Sequence, residues 1–123
     1  MNGLIKIKEN YIFRKAYRKG TALVCPYAVV YVLKNPRNNI RLGITSSKKI
    51  GNAVCRNRAR RVITAAFRSV LPQIEAGCDF VIVARSRILT AKSTQVADAL
   101  LKLFEKADLI GSASVNQNEQ DID

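Results

Sequence analysis

Residues 40–84 read IRLGITSSKKIGNAVCRNRARRVITAAFRSVLPQIEAGCDFVIVA, and they hold a complete strand, helix and strand. Ile40 to Thr45 has an extended pattern, and the polar stretch from Ser46 to Asn52 turns at Gly51. From about Ala53 to Leu71 the apolar residues Ile63, Ala66, Phe67 and Val70 recur at helical spacing, and Pro72 stops the pattern. Cys78 to Ala84 is a nearly continuous apolar run of strand length. Such a run suits a central strand covered by helices, with a parallel neighbour. The segment from Ser46 to Asp79 is therefore a crossover between two strands of one sheet, carried by the long helix.

Outward from this unit, Tyr11 to Lys19 follows Asn10 with Ile12, Phe13, Ala16 and Tyr17 at helical spacing and Arg14, Lys15, Arg18 and Lys19 between them. Tyr27 to Leu33 is β-branched and aromatic, and the Asn35 to Asn39 cluster is a turn, which predicts that Tyr27–Leu33 and Ile40–Thr45 pair as a hairpin. Ser93 to Asp108 repeats helical spacing through Val96, Leu100, Leu103, Phe104 and Ala107. The order α-β-β-α-β-α predicts an α/β (α+β) two-layer sandwich, a small mixed sheet of about four strands with helices on one face. Residues 1–110 are expected to form one domain, and 111–123 a disordered polar tail.

The chain carries 21 Lys and Arg against 9 Asp and Glu, a formal charge of +12. The distribution is more telling than the total, because Asn10 to Ile74 holds fourteen Lys or Arg and no carboxylate. A face charged only for solubility mixes both signs. This one points to a polyanion. Cys25, Cys55 and Cys78 show neither a paired spacing nor accompanying His, so neither a zinc site nor a disulfide framework is expected. The first residues lack the apolar run of a signal peptide and no segment has the length of a membrane span, which predicts a cytoplasmic protein.

The helix that begins near Ala53 opens with Arg56, Asn57, Arg58, Arg60 and Arg61. A helix N-terminus is already partly positive, so this placement asks for an anion, and phosphate is the natural one. At 100° per residue Asn57, Arg61, Thr64 and Arg68 share a stripe, with Arg58 beside it, opposite the Ile63, Phe67 and Val70 face. One side buries and the other is free for a phosphate backbone. Arg85 and Arg87 either extend this surface or are simply solvated. No His, no carboxylate in the basic region and no Ser-His-Asp arrangement argue against protein side chains that cut RNA.

SKKIGNAVCRNRARR, followed by a helix and a VIVAR strand, resembles the signature of the bacterial ribonuclease P protein family. FRKAYRKG at 13–20, Tyr31 and RLGI at 41–44 match it as well, and the similarity covers roughly residues 4–108. The resemblance implies a left-handed βαβ crossover and a role as the protein subunit of a ribonucleoprotein that removes 5′ leaders from precursor tRNA. It implies that Arg56, Asn57, Arg58, Arg60, Arg61 and Arg68 contact the catalytic RNA. It implies a leader-binding cleft with Phe13, Tyr17 and Tyr31, and with Lys48, Lys49 and Asn52 nearby. Tyr17 stands where the family more often has Phe, keeping the ring and adding a hydroxyl. Aromatic faces stack on unpaired bases of any identity, which suits a leader of variable sequence.

What the resemblance implies about chemistry is that cleavage belongs to the RNA and to Mg²⁺ held mainly by the RNA subunit and substrate, with no catalytic or metal-binding side chain in the protein. The expected partners are the catalytic RNA and precursor tRNA, with no membrane and no further protein required. A structural or ribosomal RNA-binding protein is the other class open to so basic a chain. It has no need of a single-strand platform.

Overall fold

The computed structural model describes residues 4–75 and 77–110. In chain order the elements are β1 (Ile5–Lys6), α1 (Asn10–Lys19), β2 (Thr21–Cys25), β3 (Ala28–Lys34), β4 (Ile40–Thr45), α2 (Ala53–Val70), β5 (Cys78–Ala84) and α3 (Ser93–Lys106). Short 3₁₀ turns lie at Lys48–Ile50, Leu71–Gln73 and Ser86–Thr90. The five strands form one mixed sheet in the order β1-β4-β5-β3-β2. The tail expected at 111–123 lies outside the described residues.

The crossover is present: β4 and β5 are adjacent and parallel, with Leu42 opposite Phe80, and α2 joins them. β5 is the central strand that CDFVIVA predicts, antiparallel to β3 on its other side. The expected hairpin between β3 and β4 does not form, because β5 lies between them. Their connecting loop instead bridges the end of β5. The Asn35 N–H donates to the Gly77 carbonyl and the Cys78 N–H donates to the Asn39 carbonyl, each at 3.1 Å. A Cβ at Gly77 would stand 2.7 Å from the Asn38 Cα, so only glycine lets the two backbones approach this closely.

The real hairpin is β2 with β3, where Cys25 opposes Ala28 and leaves Pro26 and Tyr27 as a two-residue turn. β2 and the two-residue β1 join the three strands located in the sequence, giving five where about four were expected. TALVC gives no alternation signal and abuts Pro26, which suits an edge strand.

Packing also departs from the expectation of helices on one face. Val30, Phe80 and Ile82 belong to a core shared with α2 and α3. In it Phe67, Phe80 and Phe104 meet, one ring from each of three elements, with centroids 5.1, 5.2 and 6.3 Å apart. All three are fully buried, and truncating one costs about 3–5 kcal/mol. The shorter α1 crosses the opposite face, where Ile12 and Ala16 pack with Ile7 and Val81. On that face Asp79 is buried beside its strand neighbour Arg41. The guanidinium donates to both carboxylate oxygens at 2.7 Å, and Asn35 Nδ2 donates to Oδ1 at 2.9 Å. Removing one partner of such a pair leaves an uncompensated charge and costs about 3–5 kcal/mol.

Candidate nucleic-acid interface

Asn10, Phe13, Arg14 and Tyr17 occupy positions i, i+3, i+4 and i+7 of α1, so the helix presents them to one side. They line a cleft of about 370 Å³ whose other wall is Ile44, Thr45, Ser46 and Arg60. Tyr17 meets Tyr31 edge-on at a centroid distance of 5.1 Å, and its hydroxyl lies 3.1 Å from the Thr45 hydroxyl. The Tyr17 side chain is nevertheless 41% exposed. Phe13 is half-buried and rests against Gly43, where a Cβ would come within 2.6 Å of the ring. Arg60 reaches from α2 to donate to the Ile44 carbonyl at 3.1 Å, which fixes one end of the guanidinium at the rim. No carboxylate lines the cleft. It combines aromatic edges, two guanidinium groups and an absence of negative charge, which is the chemistry that holds a single nucleic-acid strand.

α2 begins where Asn52 Oδ1 accepts the Cys55 N–H at 3.0 Å, a side-chain cap that satisfies one of the free N–H groups of the first turn. The arginines that follow diverge. Arg56 folds back, its Nη1 donating to the Gly51 carbonyl at 2.8 Å. Arg58 leans to the other flank, where Nε and Nη2 donate to the Leu89 and Ala91 carbonyls, both at 3.2 Å. These carbonyl partners offset part of the positive charge crowded at the helix N-terminus, so an external anion is not needed to hold Arg56 and Arg58 in place. Asn57, Arg61 and Arg68 are exposed. Arg85 ties down the β2–β3 turn, its Nη1 donating to the Cys25 carbonyl at 3.3 Å.

Of the residues assigned to the leader cleft, Phe13 and Tyr17 line it, while Tyr31 packs edge-on against Tyr17 and does not line it. Lys48 and Lys49 are exposed on the 3₁₀ turn before α2 and do not line the cleft, and the Asn52 side-chain oxygen Oδ1 is used by the cap. Arg14, Thr45 and Arg60 were not expected in the cleft. Arg14 was legible, since it precedes Tyr17 by three residues on the same helix face. Thr45 and Arg60 depend on how α1 and α2 flank β4, which no local pattern reveals. Among the described residues, no group of three or more Cys, Asp or Glu is placed to hold a metal ion. None of their helices is long and apolar enough to cross a membrane.

A sequence model of the family described as Ribonuclease P matches residues 1–108. The ribonuclease P protein component of Shouchella clausii is 34% identical over 115 residues, covering 93% of this chain and 94% of its own length. That of Alkaliphilus oremlandii is 33% identical over 113 residues, covering 92% and 99%. Among solved structures, the RNase P protein of Staphylococcus aureus superposes with a TM-score of 0.74 at 32% identity, covering 86% of this chain and 97% of that one. With a five-stranded sheet, an aromatic cleft and an arginine-rich helix in place, and a family match over nearly all of its described length, the chain belongs to the Ribonuclease P protein family.

Proposed function

We propose that the chain is the protein subunit of a cytoplasmic ribonuclease P, binding the catalytic RNA through the outer face of α2 and the 5′ leader of precursor tRNA in the cleft between α1 and β4. The observation that carries the reading is the cleft itself. Phe13 and Tyr17, the latter braced by Tyr31, offer ring surface for unpaired bases, and Arg14 and Arg60 flank it for the phosphates that join them. Asn57 and Arg61, exposed on α2, serve the catalytic RNA, with Arg56, Arg58 and Arg60 bound to backbone carbonyls beside them.

Cleavage is the work of the RNA and of Mg²⁺ held mainly by it and by the substrate. Asp79, a carboxylate buried on the α1 side of the sheet, is held by Arg41 and Asn35 and is not free to take a metal. The protein's contributions are substrate affinity and screening of phosphate repulsion.

The test is equilibrium binding of precursor and mature tRNA to the complex of protein and catalytic RNA. Tyr17→Ala is expected to weaken precursor binding by about 1–3 kcal/mol, the range for one stacked base, and to leave mature tRNA nearly unchanged. Equal weakening of both substrates with the fold intact would remove the leader from the cleft.

A further inference from the structure

A second groove of about 390 Å³ lies beyond the cleft, between the β1–β4 edge of the sheet and α2. Lys6 and Lys8 border it on the sheet side, and Arg60, Thr64 and Arg68, spaced one helical turn apart, form its helix wall. Its apolar floor includes Leu42 and Ile44. Four cations and a hydroxyl thus surround an apolar bed, and no carboxylate lines it. Resting on the proposed leader cleft, the groove is continuous with it, because Phe13, Ile44 and Arg60 line both.

We propose that this groove is a second single-strand subsite, taking a nucleotide of the same RNA strand that occupies the cleft. The base lies on the apolar bed and the phosphates meet Lys6, Lys8 and Arg68, while Arg60 bridges the two sites. The volume lies within the range of small-ligand pockets, large enough for a base with its phosphate. Charge complementarity selects the occupant: an apolar peptide would leave four cations unmatched, whereas a polynucleotide supplies both the flat apolar group and the anion at each repeat. Arg68, expected with Arg61 on the outward stripe, is turned toward the groove and extends the basic path along α2.

The full-length protein is titrated with oligouridylates of about four and about sixteen nucleotides, which bracket usual single-strand site sizes. The titrations are run at several salt concentrations. The double variant Lys6→Gln, Lys8→Gln is compared with wild type, with Tyr17→Ala in the cleft, and with a charge-matched control, Lys102→Gln, Lys106→Gln, on α3. For the long strand the groove variant is expected to lower the log-log salt slope by about 1.4, at about 0.7 for each lost phosphate contact. The short strand and the α3 control are expected to keep their slopes, and Tyr17→Ala to weaken both lengths.

A groove variant that binds the long strand like wild type, while Tyr17→Ala still weakens it, would overturn the groove and leave the cleft standing. A Tyr17→Ala variant without effect, with the lysine result intact, would overturn the cleft reading and still support the groove as a strand site. An α3 control that reproduces the slope change would assign it to net charge and overturn the proposal. Adenosine 5′-monophosphate binding as tightly as the long strand would mark a free-nucleotide pocket, with the same consequence.

Discussion

The Phe13 ring lies on the backbone of Gly43 with no room for a methyl group between them; a Cβ there would meet Cζ at 2.6 Å and the Ile7 Cβ at 3.3 Å. The glycine of the RLGI strand is thus a seat for the ring. Gly43→Ala is expected to tilt Phe13 out of place and lower stability by about 1–3 kcal/mol, as overpacking does. Because Phe13 lines the cleft, precursor tRNA affinity should fall while mature tRNA affinity holds, measured alongside a denaturant titration to separate the two effects.

At Tyr17 the ring and the hydroxyl do separate work. The hydroxyl contact with Thr45 is exposed, where water competes for it, so Tyr17→Phe is expected to bind precursor tRNA within about 0.5 kcal/mol of wild type, at the low end of a net hydrogen bond. Tyr17→Ala removes the ring and should cost about 1–3 kcal/mol. If both variants lose equally, the hydroxyl rather than the ring is what the substrate uses.

Arg58 and Arg61 are three residues apart and are expected to fail differently. Arg58→Ala removes the contacts to the Leu89 and Ala91 carbonyls and loosens the 3₁₀ turn from α2, so its melting temperature should fall, with a loss of about 0.5–1.5 kcal/mol. Arg61→Ala breaks no contact within the fold and should leave melting unchanged. Its signature is a shallower salt dependence of catalytic-RNA binding, by about 0.7–0.9 in the log-log slope.

The contrast between these arginines marks what the sequence can and cannot convey. Helical spacing placed Ile63, Phe67 and Val70 inward and Arg61 outward, because a period of 3.6 is a local property. The carbonyl partners of Arg58 depend on a loop that returns from 31 and 33 residues away. The sheet shows the same division. CDFVIVA announced a central strand by its composition, whereas its insertion between β3 and β4 is a matter of long-range pairing. The turn-like Asn35 to Asn39 segment looked like a hairpin because nothing in it records Gly77 and Cys78 waiting between its ends. Family resemblance supplied the cleft aromatics, which spacing alone would have assigned to the core.

Burial pushes the Cys78 thiol up from its usual pKa, outweighing the nearby positive charge of Lys34. The folded state then keeps its proton at a pH where the unfolded chain, with a thiol pKa of about 8.5, releases it. Stability from this group is complete below the unfolded value and declines as pH rises above it. Urea titrations between about pH 7 and 10 should show a steeper alkaline decline for wild type than for Cys78→Ala, whatever the baseline cost of the substitution. Parallel declines would remove Cys78 as the cause.

Protein freed of RNA is expected to leave precursor tRNA intact, with cleavage appearing on addition of catalytic RNA and Mg²⁺. The advantage given by the protein should shrink as Mg²⁺ rises, because divalent cations take over phosphate screening. Leader-specific, metal-dependent cleavage by RNA-free protein would overturn this division of labour.

The position of β5 bears on the order in which the molecule assembles. As the chain leaves the ribosome, β3 and β4 exist before the strand that separates them, and until Ala84 has emerged neither has its inner neighbour. During that interval the Asn35 to Asn39 turn offers the nascent chain the same false hairpin that its sequence suggests. Final closure therefore requires a strand to enter a gap held open by a loop. Non-local pairing of this kind is slow. In pulsed hydrogen exchange during refolding, the amides of β3, β4 and β5 are expected to become protected together and later than those of the β2–β3 turn, with the cleft last to form because Gly43 and Tyr31 reach their places only when β5 does.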